Sequence, residues 1–250
     1  MYKEAIQDAI STNELPSEWS SALLSEAEHV AQKKKTAKYR KDLRKLPFVT
    51  IDGEDAKDFD DAIYCVKNTS GYRLYVAIAD VSFYVEANSK LDKEAKKRGT
   101  SIYFPETVIP MLPENLSNGI CSLRPNEDRC SMICEMSIDL DGTRKKYKFY
   151  SGLINSKARL TYNQVEKHFK KSSSIKQSIV RESIKHLFDL TNVRLKLRNQ
   201  RRALEINPTE AILELNKNKE VNNIVIKKNL FAHKLVEESM LLANESAAEF

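Results

Sequence analysis

The stretch TIDGEDAKDFDDAIY, residues 50–64, combines a dense cluster of acidic side chains with strand-like flanks. Its six acidic residues are Asp52, Glu54, Asp55, Asp58, Asp60 and Asp61. Apolar runs precede and follow it, FVTI at 48–51 and AIYCV at 62–66, and both have the composition of buried strands. Like charges held between two such strands repel one another, and a divalent cation would offset that repulsion. Carboxylates and water are the ligands that Mg²⁺ and Mn²⁺ prefer.

Composition alone leaves a second interpretation open, in which the acidic cluster is a solvated loop. Two other kinds of site, an EF-hand loop and a phosphotransferase centre, do not match the sequence. An EF-hand loop beginning at Asp52 needs Gly at its sixth position and Glu at its twelfth, where this chain has Lys57 and Ile63. A phosphotransferase places its nucleophilic aspartate directly after an apolar strand. Asp58 does not follow one, and Asp52 lacks a second aspartate two residues later.

Length and charge set broad limits. The chain has 250 residues, enough for one large domain or two small ones. Lysine and arginine number 41 against 35 for aspartate and glutamate, a formal net charge of +6 that favours a polyanionic partner. We expect no membrane span, because no run of 18 apolar residues exists. The first residues also lack the apolar core of a signal peptide.

The cysteines and histidines show no metal-ligand spacing. The four cysteines, Cys65, Cys121, Cys130 and Cys134, form no C-x-x-C pair, so a zinc site is not expected. The alternating residues Cys130, Met132, Cys134, Met136 and Ile138 are typical of the buried face of a strand. We therefore expect core thiols in a reducing cytoplasm. The histidines are His29, His168, His186 and His233, and they receive no predicted role.

Periodicity and turn signals predict an α+β fold, with strands of one sheet at 48–51, 61–67 and 72–81. Hairpins are predicted around Asp141–Gly142 and within 211–228, the latter turning near Asn216–Lys219. Helices are predicted for residues 16–32, for about 174–202, and from about 230 to the last residue. A further helix is predicted to begin at a cap on Asn88 or Ser89 and to end at Gly99, and another to begin after its cap at Thr161. The first of these helices has Leu23, Leu24, Ala27 and Val30 as its apolar side, and the last has Val236, Met240, Ala243 and Ala247.

A basic run, KKKTAKYRKDLRK, occupies residues 33–45. Charge runs of this kind are usually solvated linkers. The other interpretation is contact with phosphates near the entrance to a site. The letters do not decide between the two.

The acidic stretch resembles the signature of the RNB exoribonuclease family, most of all its bacterial ribonuclease R branch. The spacing of Asp52, Asp58, Asp60 and Asp61 matches the four catalytic aspartates of that family. The likeness continues through YRLYVAIADVSFYV (72–85), RGTSIYFPETVIPMLPENLSNGICSL (98–123) and HKLVEESMLLANE (233–245), and so covers about residues 46–250. It implies the RNB catalytic-domain fold, with a mixed, mostly antiparallel sheet packed against long helices.

The resemblance also implies a reaction. Members of the family hydrolyse RNA processively from a single-stranded 3′ end and release nucleoside 5′-monophosphates. Mg²⁺, with Mn²⁺ able to replace it, is expected on Asp52, Asp58, Asp60 and Asp61, and Asp60 is expected to be the residue whose loss removes catalysis while sparing binding. Strand alternation would put Asp52 and Asp60 on one side and Asp61 on the other unless the backbone bulges.

Four further residues are implied in RNA binding. Tyr103 falls where the family stacks an aromatic ring on the terminal base, although the letters alone favour a core tyrosine. Glu237 and Glu238 match a glutamate pair in which one member contacts the terminal ribose, and the choice between them stays open. Tyr162 is implied in the same discrimination between RNA and DNA.

Two domains follow from these patterns. Residues 1–45 are expected to form a helical and basic linker, and residues 46–250 the first part of an RNB catalytic domain. The family's HFGL-like segment, its Ser-Pro-Ile-Arg-like motif and its S1 domain do not occur in the chain, so we expect a fragment. Two function classes remain: part of a hydrolytic exoribonuclease, or an RNA-binding or structural piece without activity. No membrane partner is expected, and protein partners stay unknown.

Overall fold

The structure is a computed structural model that describes residues 2–33, 38–105, 107–171, 175–203, 211–216, 220–226 and 229–250. These residues divide into two compact units. The first comprises Met1–Lys33, Tyr84–Ser117 and Glu205–Asn229, and the second comprises Lys34–Phe83, Asn118–Leu204 and Leu230–Phe250. No helix in the described ranges is long and apolar enough to cross a membrane.

The secondary structure follows the chain in this order. The strands are β1 (Lys41–Asp42), β2 (Val49–Asp52), β3 (Asp61–Asn68), β4 (Gly71–Ala79), β5 (Ile102–Phe104), β6 (Thr107–Ile109), β7 (Asp128–Asp139), β8 (Arg144–Asn155), β9 (Ala158–Thr161), β10 (Ala211–Leu215) and β11 (Val221–Ile226). The helices are α1 (Tyr2–Thr12), α2 (Ser21–Ala31), α3 (Val81–Tyr84), α4 (Lys90–Arg98), α5 (Tyr162–Lys171), α6 (Ser178–Gln200) and α7 (Phe231–Glu249), with a short helical segment at Asn115–Ile120.

The second unit is built on a seven-stranded sheet with the strand order β1-β8-β7-β4-β3-β2-β9. The pairs β8–β7, β7–β4, β4–β3 and β3–β2 are antiparallel, whereas the outermost pairs β1–β8 and β2–β9 are parallel. This arrangement confirms the predicted α+β class with a mixed, mostly antiparallel sheet. The predicted hairpin around Asp141–Gly142 joins β7 to β8, and Gly142 has a φ of +85°, which favours glycine.

Each face of the sheet carries its own apolar cluster. On one face, alternate residues of the strands, such as Ile63, Leu74 and Met136, pack with buried residues of α6 and α7, such as Ile184 and Leu242. The other face holds a smaller cluster that contains Phe48, Phe59, Ala77, Ile133 and Ile154. Because the central strands are buried on both faces, a one-residue slip in register would move every side chain to the wrong cluster, and the register is therefore strongly specified.

Helix α7 buries a stripe that includes two serines. Of the four apolar positions that marked this helix in the sequence, Ala243 is buried, Val236 and Met240 are half-buried against the core, and Ala247 is exposed. The buried positions include Ser239 and Ser246, whose hydroxyls donate to the carbonyls of Leu235 and Leu242 at 2.9 and 2.7 Å. Serines that satisfy their hydroxyls within the helix can enter an interface at little polar cost, and their small size lets the helix approach its neighbours. Hydrophobicity alone therefore does not identify the buried stripe.

Smaller differences occur elsewhere. Helix α2 begins at Ser21, with Ser20 accepting from the Leu23 backbone N–H, four or five residues later than predicted. Leu23 and Ala27 are buried as expected, but Leu24 is 41% exposed. Along β7, Met132 is 39% exposed although the other members of its alternating set are buried. The predicted turn of the β10–β11 hairpin lies in part outside the described residues, while the hairpin itself is confirmed.

The first unit contains α1, α2, α4 and two small hairpins, β5–β6 and β10–β11. Ser89 caps α4 and Gly99, with a φ of +73°, ends it, as predicted. The α4 residue Arg98 is buried, lies 3.4 Å from the ring centre of Trp19, and donates to the carbonyls of Glu18 and Pro110 at 2.7 and 3.1 Å. This one guanidinium links α4 to the chain before α2 and to the chain after the β5–β6 hairpin.

The basic run has structure from residue 38 onward, whereas residues 34–37 lie outside the described part. Strand β1 joins the edge of the sheet beside β8, and Leu43 is buried. Arg40 donates to the carboxylate of Asp80 at 2.7 Å, and the side chains of both residues are 7% exposed. Arg40 and Leu43 therefore belong to the folded unit and not to a solvated linker, whereas Lys41, Arg44 and Lys45 are exposed and their contact with phosphates stays a prediction.

We predict that Arg40→Met lowers the free energy of unfolding by about 3 kcal/mol, since it leaves the Asp80 carboxylate buried without its cation. Urea unfolding at neutral pH measures the change. The double variant Arg40→Met/Asp80→Asn removes both charges and should recover part of the loss. A single-variant loss below about 0.5 kcal/mol, the range of ordinary surface substitutions, would contradict a buried, energetically important pair.

Candidate active site

The acidic residues lie where two neighbouring strands end. Asp52 is the last residue of β2 and Asp61 is the first of β3, and residues 53–60 between them form what we call the acid loop. The two strands are antiparallel, with Val49 opposite Ile63. Continuing that register puts Asp52 level with Asp60, so the strand ends bring together carboxylates from both sides of the loop.

Burial and mutual repulsion raise the pKa of two of these carboxylates. Burial is the largest cause for Asp61, whose pKa rises to about 6, and the charges of Asp52 and Asp60 add to it. Burial also raises the pKa of Asp60, followed by the charges of Asp58 and Asp52. The four predicted aspartates therefore share one electrostatic neighbourhood. Asp61 is close enough to Asp52 to feel its charge, so strand alternation does not separate the two here.

The donor chemistry of this cluster fits a hard divalent cation. Asp61 Oδ2 is buried and has no hydrogen-bond partner among the described residues, and Asp52 Oδ1 accepts from the Gly53 backbone N–H at 2.7 Å. Carboxylate oxygens with raised pKa values gain most from a nearby positive charge. Within the described residues, however, no group of three or more His, Cys, Asp or Glu side chains has the arrangement of a metal site. The oxygens fit the ion, but they do not already surround one point.

The end of the acid loop is held by the segment Ile120–Leu123. Ser122 Oγ accepts from the Phe59 N–H at 3.0 Å and donates to the Lys57 carbonyl at 2.8 Å, and the Leu123 N–H donates to the Phe59 carbonyl at 2.8 Å. Ser122 is fully buried and Phe59 nearly so. Since Phe59 lies between Asp58 and Asp60, anchoring its backbone and ring fixes both carboxylates. Ser122 belongs to the long motif at 98–123, but its role was not predicted.

The start of the acid loop is held from β9. Arg159 Nη2 donates to the carbonyl of Gly53 at 2.7 Å and to that of Glu54. Its guanidinium carbon lies 5.6 Å from the ring centre of Phe59. Asn163 adds a hydrogen bond to the Glu54 carboxylate at 2.9 Å. No pattern in the sequence pointed to Arg159, because the contact depends on the parallel pairing of β9 with β2.

Tyr162 lies beside the acidic cluster. It follows β9 directly, where Thr161 pairs with Asp52. Burial raises the pKa of Tyr162 to about 12, with smaller contributions from the charges of Asp52 and Asp61. Its ring stacks on that of His233 with 4.0 Å between the centres and 19° between the planes. The predicted neighbour Tyr162 is thus part of the cluster, and His233, which had no predicted role, supports its ring.

The two glutamates of α7 differ sharply. Glu238 is 2% exposed, and its carboxylate accepts from Arg194 at 3.4 Å and from Arg198 at 2.6 Å. The Glu237 side chain is 48% exposed and contacts Arg198 at 2.9 Å. Glu237 also lies one helical turn after His233, and so on the same face of α7. Of the pair, Glu237 is the one that solvent and a ligand can reach.

Tyr103 lies in the β5–β6 hairpin, opposite Val108. It is 65% exposed, which excludes the alternative of a core tyrosine within this chain. Tyr103 belongs to the first unit, whereas the acid loop, Tyr162 and α7 belong to the second. The structure therefore brings together Asp52, Asp58, Asp60, Asp61 and Tyr162, and it describes Tyr103 only within its own hairpin.

Curated relatives of this chain are bacterial proteins named ribonuclease R. That of Escherichia coli K12 is 45% identical over 254 residues, which is 98% of this chain and 31% of the relative. That of Thermotoga maritima is 46% identical over 239 residues, 94% of this chain and 34% of the relative. The chain thus spans about a third of the length of the curated relatives it matches.

A solved structure of a ribonuclease R also matches nearly the whole of this chain. The Mycoplasma genitalium RNase R in complex with ribose methylated single-stranded RNA has a TM-score of 0.92 and is 35% identical, over 97% of this chain and 38% of that one. The family model described as the RNB domain matches residues 40–250, the range that contains the acid loop, Ser122, Arg159 and the glutamates of α7. The chain therefore belongs to the RNB family.

Proposed function

We propose that the protein containing this chain is a hydrolytic exoribonuclease, which degrades RNA processively from a single-stranded 3′ end to nucleoside 5′-monophosphates. The observation that carries this function is that Asp52, Asp58, Asp60 and Asp61 lie close enough for their charges to interact. One of their oxygens, Asp61 Oδ2, is buried and has no hydrogen-bond partner among the described residues. Such an arrangement is typical of sites that hold cations against phosphate esters.

RNA as the substrate is supported by the relatives. They are named ribonuclease R, and the Mycoplasma genitalium protein has been solved with single-stranded and with double-stranded RNA. The basic net charge of this chain agrees with a polyanionic ligand. We propose a cytoplasmic location, in keeping with four cysteines that are free and buried.

We propose Mg²⁺ as the cofactor, with Mn²⁺ able to replace it, and Asp52, Asp58, Asp60 and Asp61 as the residues that would hold it. When bound, the cation would lower the pKa of a water molecule and offset negative charge that develops on the phosphate. The chain's own contribution is to keep the carboxylates together. The raised pKa values of Asp60 and Asp61 support the proposal, because a nearby cation would favour the charged forms of both.

For recognition of RNA, we propose that Glu237 is the glutamate that contacts the ribose. It is accessible, whereas the carboxylate of Glu238 is buried and already accepts from two arginines. Tyr162 would help to distinguish ribose from deoxyribose, since its ring adjoins the carboxylates. Tyr103 would stack on a base, a use that fits its exposed ring.

A second candidate function is RNA binding without hydrolysis. It is favoured by one observation: in the described residues the carboxylates do not surround a single point as metal ligands do. Titration with Mn²⁺ separates the two functions, because only the first requires the acidic cluster to bind the ion. Lack of binding, both by this chain and by the whole protein, would favour the second candidate.

We predict that Asp60→Asn, made in the whole protein, abolishes RNA hydrolysis while leaving the Kd for single-stranded RNA within about twofold. The amide keeps the shape of the side chain and removes a charged ligand, a loss that typically costs orders of magnitude in rate. Release of mononucleotides from a labelled oligomer measures activity, and a filter or polarisation assay without metal measures the Kd. Asp55→Asn, which changes an exposed acid of the same loop, is the matched control. Comparable turnover by wild type and Asp60→Asn would refute the assigned role.

The two glutamates should respond in opposite ways. Glu237→Gln should leave stability nearly unchanged and reduce the preference for a 3′-terminal ribose over deoxyribose by about tenfold, the worth of one hydrogen bond. Glu238→Gln should lower the free energy of unfolding by about 3 kcal/mol, because it removes the anion between two buried or half-buried arginines. Hydrolysis of paired oligomers and urea unfolding give the two readouts. The reverse pattern would exchange the roles of the two residues.

Tyr103→Ala in the whole protein should lengthen the smallest product released from a single-stranded oligomer, because the terminal base loses a stacking contact worth about 1–3 kcal/mol. Tyr103→Phe keeps the ring and should give the wild-type product ladder. Tyr39→Ala, at another exposed tyrosine, controls for loss of a surface ring. If Tyr103→Ala and wild type give the same ladder, Tyr103 does not clamp the 3′ end.

A further inference from the structure

Arg159 contacts the acid loop near both of its ends. Its Nη2 atom donates to the carbonyls of Gly53, at 2.7 Å, and Glu54, which are the first residues after Asp52. Its guanidinium carbon is 5.6 Å from the ring centre of Phe59, the residue between Asp58 and Asp60. A single planar cation therefore links the carboxylate that precedes the loop to those that lie at its end.

We propose that Arg159 is a positioning residue that holds the acid loop in place before any cation binds, a role that rests on the proposed function. Its hydrogen bonds are with backbone carbonyls and its flat face lies near an aromatic ring, so Arg159 acts on the backbone of the loop. Asp52 and Asp60 then stay level across the ends of β2 and β3 despite their mutual repulsion. A cation arriving at the cluster meets ligands that are already close together.

The contact depends on the shape of arginine and on the topology of the sheet. Strand β9 runs parallel to β2, with Arg159 opposite Thr50 and Thr161 opposite Asp52, so Arg159 starts two residues before the strand end and reaches forward over it. A guanidinium can donate to two carbonyls from one edge while its flat face lies near a ring. An ammonium group is a point charge and offers no such face. Lysine at this position should therefore fail to replace arginine fully.

A positive charge beside carboxylates has two opposing effects on metal binding. As a competing cation it would weaken the binding of Mn²⁺, whereas as a brace it would strengthen binding by keeping the ligands together. Arg159 donates to the carbonyls of Gly53 and Glu54 and lies beside the ring of Phe59, so its contacts hold the backbone that carries the proposed ligands. We therefore expect the bracing effect to dominate, and this fixes the sign: removing Arg159 should weaken Mn²⁺ binding.

The far end of the acid loop has hydrogen-bonded anchors in addition to its ring contact with Arg159. Ser122 binds the backbone at Lys57 and Phe59, and Leu123 binds the Phe59 carbonyl. Arg129 in turn donates to the Ser122 carbonyl at 2.7 Å and keeps that segment in place. Loss of Arg159 should therefore free the start of the loop, from residue 53 to about residue 56, while the sheet and the anchor at Phe59 persist.

The experiment compares four forms of the full 250-residue chain: wild type, Arg159→Met, Arg159→Lys and Arg181→Met. Methionine keeps an apolar stem and removes every donor. Arg181 is the matched control, because its Nη1 atom also donates to two carbonyls, those of Ile175 and Lys176 at 3.0 and 2.7 Å, at the start of α6. Two readouts are taken: Mn²⁺ affinity by calorimetry, and amide hydrogen exchange of residues 53–60 and of β7 without metal.

Arg159→Met should weaken Mn²⁺ binding at least about tenfold, the usual effect of removing a group that orients metal ligands. It should also speed exchange in the acid loop while β7 exchanges as in Arg181→Met, and Arg159→Lys should recover only part of both effects. Unchanged or tighter Mn²⁺ binding, or wild-type exchange in the loop, would overturn the role. So would full rescue by lysine. If Arg159→Met also loses protection in β7, the comparison of Arg159→Lys with wild type decides in its place.

The design keeps the two hypotheses apart. If neither this chain nor the whole protein binds Mn²⁺, the proposed metal-dependent function fails, and the exchange of residues 53–60 still shows whether Arg159 holds the loop. If wild type binds Mn²⁺ and Arg159→Met binds it equally well, the metal site stands and the positioning role is refuted.

Discussion

Burial of carboxylates at the ends of β2 and β3, to which their mutual repulsion adds, is the constraint around which the candidate site is arranged. A rise of the Asp61 pKa from its ordinary 3.8 to about 6 corresponds to a cost of roughly 3 kcal/mol for the charged form. Because the folded-state pKa is the higher one, this cost is fully present above about pH 6 and disappears below about pH 4. The folded chain must therefore carry at neutral pH a strain that a bound cation would relieve, and other interactions have to supply the difference.

Those interactions act on the backbone of the acid loop. Ser122 and Leu123 hold one end, Arg159 holds the other, and the ring of Phe59 is buried between them. If arginines paired directly with the aspartates, they would lower the pKa values but would also occupy the oxygens that a metal needs. Binding the chain through its carbonyls and N–H groups avoids that competition. The geometry is thus typical of a site whose metal ligands are held in position by residues outside the ligand set.

Elsewhere in the unit, by contrast, buried charges are paired directly. Arg40 meets Asp80, and Arg194 and Arg198 meet Glu238, all with partners that are largely buried. Such pairs add little net stability compared with apolar residues of the same size, but each is costly to break. They therefore fix which faces of the elements meet: β1 and its flanks against the turn after β4, and α6 against α7. The direct ion pairs thus hold elements of the fold together, whereas Ser122 and Arg159 hold the backbone of the acid loop.

The sequence predicted whatever depends on local pattern and missed whatever depends on pairing between distant strands. Alternation and turn residues were enough to predict β2, β3, β4 and the β7–β8 hairpin, and the spacing of the aspartates indicated the cluster at their ends. Arg159 and Ser122 could not be predicted, since one acts through the parallel pairing of β9 with β2 and the other across 63 residues of chain. The buried face of α7 could not be predicted for a related reason. Glu238 is buried there because α6 supplies the arginines, and the serines are buried because they bond within their own helix.

Arg159 and Tyr162 lie close together in the chain because strand β9 positions both of them at the candidate site. Strand β9 is only four residues long, yet it pairs with β2 along its whole length and ends opposite Asp52. Arg159 therefore reaches the start of the acid loop, while Tyr162, one residue past the strand, meets the charges of Asp52 and Asp61 on the side of α7 and His233. One short strand thus positions both Arg159, which holds the loop that carries the carboxylates, and Tyr162, whose ring lies beside them. A shift of β9 by one residue would remove both at once, so the register of this outermost strand matters as much to the candidate site as the aspartates do.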